Sequence, residues 1–334
     1  MTHAPSELRQ DIVTGDWIVV ATGRAKRPQD FLIRKSPVLK QHKSTCPFET
    51  LHEKRILVFG RAGEKSDKDW SVQVVPNKYP AFGEGACAEI YRKGVYSWTE
   101  GVGFHEIVIT RDHVRALAEL DTDTVNLVIR AYQERYDSMK NNPYVRYISI
   151  FHNHGKEAGA SVSHPHSQII ALPVIPPHIE QSLRGSLRYF REEKKCAHCV
   201  IIDHEIKMGE CIIYENNEYV ALAPFASRTA FEIRIFPKRH NPRFEEITPK
   251  ERLSYAEAMR VSLLKLHKGL KNPDYNFFFH TAPPKAEKES GHYHWHCEIL
   301  PKTQIWAGFE IGTGIEISTI APEHAAEFLR SVRI

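Results

Sequence analysis

Phe104-His-Glu-Ile-Val-Ile-Thr-Arg-Asp-His113 and Phe231-Glu-Ile-Arg-Ile-Phe-Pro-Lys-Arg-His240 are two strand-like runs that each close on a histidine. Downstream of the first comes His164-Pro-His166, leading into Ser-Gln-Ile-Ile-Ala-Leu-Pro173; downstream of the second comes His294-Trp-His296, leading into Cys-Glu-Ile-Leu-Pro301. The step from 113 to 240 is 127 residues and that from 164 to 294 is 130, so the register nearly holds across both motifs. One unit has been used twice. Working outward, strand patterns cover 16–21, 71–75, 104–110, 145–151 and 166–172, then 218–223, 230–236, 275–280 and 294–300. Helical patterns cover 122–141 and 249–270, one in each half. The expected fold class is α+β: two tandem halves, 1–175 and 176–334, each an antiparallel sheet with packed helices. The break is placed at the proline-rich Pro173–Pro177.

Composition narrows the function classes. The chain has 334 residues, 42% hydrophobic and 26% charged, with a formal charge of +4. So small a charge, without aromatic residues interleaved among basic ones, gives no case for nucleic acid. No run approaches the ~20 apolar residues of a membrane span, and no signal peptide is visible. The expectation is a cytoplasmic protein with no membrane partner. There the six cysteines point to metal or core roles rather than disulfides. The nineteen histidines are the unusual count, and many are clustered.

Cys196-Ala-His-Cys199 lets two thiolates share one ion, and His240 and His294 in the same half supply two more ligands of the kind zinc takes. By the repeat, the first half offers Cys46, His113 and His164, with Glu49 of Cys46-Pro-Phe-Glu49 at the fourth position, so this site reads as Cys-Glu-His₂, as three-coordinate with a water, or as lost. Four protein ligands leave no open position for activating water, so both zinc sites are expected to be structural.

In a strand, residues two apart share a face, so His164, His166 and Gln168 are expected to project together. Gly159-Ala-Ser161 and Asn153 precede them, and small residues there let backbone N–H groups approach a phosphate. A neutral imidazole is a competent nucleophile towards phosphorus, and Gln168 could donate to a phosphate oxygen as charge builds.

Gly159-Ala-Ser-Val-Ser-His-Pro-His-Ser-Gln-Ile169 resembles the active-site signature of the galactose-1-phosphate uridylyltransferase family, a branch of the histidine-triad superfamily. Arg24-Ala-Lys-Arg27 resembles its phosphate-contacting segment, Asn77-Lys78-Tyr-Pro80 its nucleoside-contacting segment, and Phe309-Glu310 its sugar-contacting tail. The resemblance implies a pair of triad-type halves and a homodimer whose sites are completed by the partner. It implies that His166 becomes a nucleotidyl-histidine, its other ring nitrogen held by the His164 carbonyl. Ser161 and Gln168 would contact phosphates, and Asn153 would sit beside the nucleotide. The reaction implied is UDP-glucose plus galactose 1-phosphate giving glucose 1-phosphate plus UDP-galactose.

Two departures are also similar to the ADP-glucose phosphorylase branch, which moves AMP to phosphate through the same histidine. Lys78 stands where the best-known transferases have aspartate, and Glu316 follows Gly312-Thr-Gly314 where they tend to have glutamine. Pro165 is the transferase form. The phosphorylase is therefore the alternative to the expected preference for UDP-glucose. Both readings take a nucleoside-diphosphate sugar; they differ in base and in whether hexose 1-phosphate or phosphate accepts.

Overall fold

The computed structural model describes residues 6–21, 41–50, 52–67, 69–83, 85, 89–286 and 290–334. The strands, in chain order, are β1 (Glu7–Gln10), β2 (Trp17–Val20), β3 (Leu57–Gly60), β4 (Trp70–Pro76), β5 (Tyr91–Lys93), β6 (Tyr96–Trp98), β7 (Phe104–Thr110), β8 (Tyr147–His154) and β9 (His166–Leu172). They continue as β10 (Ile212–Glu215), β11 (Tyr219–Leu222), β12 (Ile233–Pro237), β13 (Tyr275–His280), β14 (His296–Pro301) and β15 (Ile317–Ser318). The helices are α1 (Thr122–Met139), α2 (Pro177–Glu193), α3 (Ala197–Met208), α4 (Pro249–Gly269), α5 (Gly308–Thr313) and α6 (Pro322–Ser331). Among the described residues, no helix is long and apolar enough to cross a membrane.

Ten strands form one sheet in the order β10-β11-β12-β14-β13-β8-β9-β7-β4-β3. Read outward from the β13–β8 seam, the two sides match: β8-β9-β7-β4-β3 against β13-β14-β12-β11-β10. Each neighbouring pair is antiparallel. The repeat legible in the sequence is thus a pseudo-symmetric sheet, continuous through Asn276↔Asn153 and Phe277↔His152. The strand expected over 230–236 starts only at Ile233, because Phe231 has a φ of +66° that breaks the extended run.

Helices α1 and α4 occupy equivalent places, each between the third and fourth strands that its half gives to the ten-stranded sheet: α1 between β7 and β8, α4 between β12 and β13. Asp121 caps α1 by accepting from Thr124 N at 2.7 Å, and Thr248 with Glu251 forms a capping box on α4, with Pro249 in the first turn. Both pack on a single apolar cluster that spans the two halves and includes Tyr132, Tyr255, Phe279 and Trp295. Trp295, the residue between His294 and His296, is fully buried against Phe244 and Tyr255 at ring distances of 5.3 and 5.2 Å. Truncating a buried aromatic of this kind costs about 3–5 kcal/mol. The core therefore fixes the strand ends from which the histidines emerge.

Candidate active site

His166 is the first residue of β9, paired in register with Ile109 of β7. Its Nδ1 lies 2.9 Å from the His164 carbonyl. A carbonyl only accepts, so Nδ1 carries the proton and Nε2 keeps its lone pair. Burial holds the imidazole below its ordinary range, partly offset by that same carbonyl. The Phe48 ring stands 5.0 Å away. His164 itself precedes the strand rather than belonging to it. Its ring is fully buried, with Nε2 2.6 Å from the Thr110 carbonyl and Nδ1 3.5 Å from Cys46 Sγ. The two histidines thus divide their work by backbone position, not by strand alternation.

Gln168 follows two residues on, its Oε1 2.8 Å from His105 Nε2. Asn153 lies in the adjacent strand β8, one step past the His152↔Ser167 pair. Its amide is fixed from the second half: Asn276 Nδ2 donates to Asn153 Oδ1 and to the Ala158 carbonyl, both at 2.8 Å. The intervening turn needs glycine. Gly155 has a φ of +83°, and a Cβ there would fall 2.1 Å from the Asp274 carboxyl carbon; Gly159 has a φ of +87°. Asp274 in turn accepts from Glu157 N at 2.7 Å. Ser161 is exposed at the end of this turn. Asn77 donates its backbone N–H to the His105 carbonyl at 2.8 Å, while Lys78 is exposed over the Tyr79 ring. Phe309 and Glu310 lie on α5, and the Glu310 carboxylate accepts from Ala307 N, capping its own helix. Arg24 and Arg27 lie outside the described residues.

Both expected metal groups assemble. Cys196, Cys199, His240 and His294 bring one donor each within 4.8 Å of one another, as do Cys46, Glu49, His113 and His164. In the first group Cys199 Sγ is 3.4 Å from Nδ1 of both His240 and His294, and Cys196 Sγ is 3.9 Å from His294 Nδ1. A tetrahedral zinc would set such sulfur–nitrogen edges at roughly 3.5 Å. All four ligating rings turn Nε2 to a backbone carbonyl: Gln41 for His113, Thr110 for His164, Gly291 for His240 and Pro237 for His294. That fixes the tautomer with Nδ1 lone pairs pointing inward. His113 Nδ1 and Glu49 Oε2 are buried 2.8 Å apart with no hydrogen-bond partner otherwise. The donor sets fit zinc. Cys196 is the N-cap of α3 and Cys199 lies in its first turn, where the helix terminus favours thiolate.

The chain matches a family model described as galactose-1-phosphate uridyl transferase, N-terminal domain, over residues 1–176. A domain of unknown function (DUF4921) also matches, over residues 96–331. It is 34% identical to an ADP-glucose phosphorylase of Arabidopsis thaliana, covering 98% of this chain and 93% of that one. It is 29% identical to a galactose-1-phosphate uridylyltransferase of Thermotoga maritima, covering 98% and 99%. The crystal structure of an ADP-glucose phosphorylase from Arabidopsis thaliana with bound ADP-glucose superposes with a TM-score of 0.83 at 32% identity, over 99% of this chain and all of that one. This chain belongs to the galactose-1-phosphate uridylyltransferase family.

Within this uridylyltransferase-family fold, the second half repeats the site and fills it. His296 matches His166, with Nδ1 3.1 Å from the His294 carbonyl, but its ring is buried. Glu298 stands in place of Gln168 and is paired with Arg228 and Arg234. Nothing in the residue pattern marks Arg228 and Arg234 as closing this copy: Arg234 occupies a strand position of β12, and Arg228 falls in the connection between β11 and β12. His105, Asn276, Asp274 and Phe48 were likewise not singled out. His105 sits inside the motif that revealed the repeat, where it reads as an ordinary strand residue. The others act through contacts distant in sequence.

Proposed function

We propose that this protein transfers a nucleotide through His166, with ADP-glucose as donor and inorganic phosphate as acceptor. The observation that supports the chemistry is the bond from His166 Nδ1 to the His164 carbonyl, which leaves Nε2 with its lone pair. Nε2 attacks the α-phosphorus, forming N–P as the P–O bond to glucose 1-phosphate breaks. The ring gains positive charge, and its Nδ1–H to the carbonyl strengthens as a charge-assisted bond. Gln168 donates to a non-bridging oxygen as negative charge builds there, with Ser161 and the backbone of the Gly159 turn beside it. Phosphate oxygen then attacks the same phosphorus, the N–P bond breaks, and ADP leaves. Nothing is oxidised. Zinc held by Cys46, Glu49, His113 and His164, and by Cys196, Cys199, His240 and His294, would supply fixed strand ends rather than a reaction centre.

The base and acceptor follow the stronger likeness, to the ADP-glucose phosphorylase, and the sequence departure at Lys78 supports them. Lys78 can only donate, so a ribose hydroxyl cannot donate to its side chain as it could to a carboxylate. The uridylyltransferase reading, UDP-glucose with galactose 1-phosphate, keeps the support of the Thermotoga maritima relative and of Pro165. We also read the molecule as a homodimer in the cytoplasm, with Arg24, Arg27, Phe309 and Glu310 among its substrate-binding residues.

Intact-mass measurement after incubation with ADP-glucose and, separately, UDP-glucose decides the donor, because the added mass names the nucleotide. Steady-state kinetics with phosphate and galactose 1-phosphate decide the acceptor. ADP-glucose with phosphate is expected to lead by about tenfold or more in kcat/KM, a difference needing only ~1.4 kcal/mol. A lead for UDP-glucose with galactose 1-phosphate would overturn the assignment.

A further inference from the structure

We propose that His105 is a positioning residue that decides which end of the Gln168 amide faces the phosphate; this rests on the transfer reading above. The backbone N–H of Ala81 points at His105 Nδ1 at 3.1 Å. An amide N–H can only donate, so Nδ1 carries the lone pair and the neutral ring holds its proton on Nε2. Nε2 lies 2.8 Å from Gln168 Oε1 and 3.0 Å from Asn77 Nδ2, whose own oxygen accepts from Tyr79 N–H; of these two neighbours only the Gln168 oxygen can accept the Nε2 proton. The atom it meets must be the acceptor, Oε1. The NH2 end, with its two donors, is therefore turned away from His105 and left for a ligand.

Register explains why these two side chains meet. His105 pairs with Ile170 and Gln168 with Ile107, so they are diagonal neighbours on one face of the β7–β9 ladder. His166, two residues from Gln168, shares that face. The ring is also the anchor of the Asn77–Ala81 loop, which is tied to the His105 carbonyl at Asn77 N and to its ring at Ala81 N. One imidazole thus joins the loop next to the nucleoside to the group next to the α-phosphate.

The second half shows what happens when the pair is changed. Steps of 127 and 130 residues put Glu232 at the place of His105 and Glu298 at that of Gln168. Two acceptors there need a cation between them, and Arg234 supplies it, with Nε 3.1 Å from Glu232 and 3.3 Å from Glu298. No ligand-facing donor is left. In the first half, a donor at 105 and an amide at 168 satisfy each other and leave donors over.

The test is the rate at which the nucleotide is captured in a single turnover with ADP-glucose, read by intact mass. His105→Gln keeps one acceptor for Ala81 N–H and one donor for Gln168; it is expected within about threefold of wild type. His105→Leu removes both and should slow capture about 30-fold or more at saturating donor, with little change in half-saturating concentration. In a Gln168→Ala background the Leu change should add less than about twofold, because its effect runs through Gln168. A wild-type rate for His105→Leu, or costs that multiply in the double variant, would overturn the proposal. Ring-nitrogen NMR reads the same bond without turnover. It should show Nδ1 unprotonated and an Nε2–H signal that moves in Gln168→Ala, and a proton on Nδ1 would sink the proposal. Wild-type protein that captures no nucleotide from any donor, yet shows that NMR pattern, would remove the transfer reading and leave the positioning bond standing.

Discussion

His166 and His296 carry the same hydrogen bond to a carbonyl two residues upstream, at 2.9 and 3.1 Å, but in different surroundings. Around His166 the neighbours are neutral: Gln168, Phe48 and Asn153. Around His296 they are Glu298, Arg228 and His280, packed and ion-paired. The difference predicts opposite mutational behaviour. His166→Ala should lower nucleotide capture by at least ~10⁴-fold, as loss of a nucleophile does. It should leave the melting temperature and zinc content near wild type, because the ring is partly exposed and the metal-facing ring is that of His164. His296→Ala should instead cost about 2–3 kcal/mol of stability by leaving Glu298 and the His294 carbonyl short of a partner, with capture per folded molecule kept. Single-turnover mass measurement and urea unfolding check the two; capture above trace levels in His166→Ala would remove the nucleophile assignment.

At the scale of elements, the connections around the sheet carry charge that the strands do not. The turn Phe244–Glu246, between β12 and α4, buries Glu245. Burial pushes its carboxyl up to about 7, against the pull of Arg243 and Lys140 and with a small push from Glu246. Since the folded value lies above the unfolded one, the folded protein binds the extra proton. That contribution is complete below pH ~4.5 and is lost as pH rises through about 7, up to roughly 3 kcal/mol in all. Glu245→Gln should flatten this fall between pH 5 and 8, as urea unfolding at both pH values would show; an identical slope in the variant would contradict it. Such a group is invisible in sequence, where Phe244-Glu-Glu246 reads as surface turn. Strands with strong alternation were legible to the residue: 104–110, 166–172 and 275–280 are the bounds of β7, β9 and β13. Strands β3 and β10, at the two ends of the sheet, are four residues each and too short for a period to stand out. Helix α2 was hidden by its own start. Pro176 and Pro177 read as a break, whereas Pro177 occupies the first helical turn, where no N–H bond is lost.

The whole molecule is a sheet whose two halves share a seam but not a task. The seam lets Asn276 and Asp274 of the second half hold the Asn153–Gly159 turn of the first, which no reading of the halves in isolation would give. The metal groups divide in the same way. The group of Cys46, Glu49, His113 and His164 adjoins the nucleophile through His164, two residues before His166, whereas Cys196, Cys199, His240 and His294 tie α3 to the ends of β12 and β14 in the filled half. We therefore expect Cys199→Ser to release close to one zinc per chain while the first group keeps its own. Because a metal bound only by the folded chain stabilises it by mass action, the melting temperature should fall by several degrees. Transfer per folded molecule should drop less than about threefold, since every group near His166 keeps its place. Cys46→Ser should behave differently: it disturbs His164, whose carbonyl orients His166, and so should lower the capture rate as well as zinc content. Metal analysis, thermal unfolding and single-turnover capture on the two variants separate the sites. Unchanged zinc in Cys199→Ser would sink the second site, and equal losses of capture in both variants would show that the halves are coupled more tightly than the Asn276 seam requires.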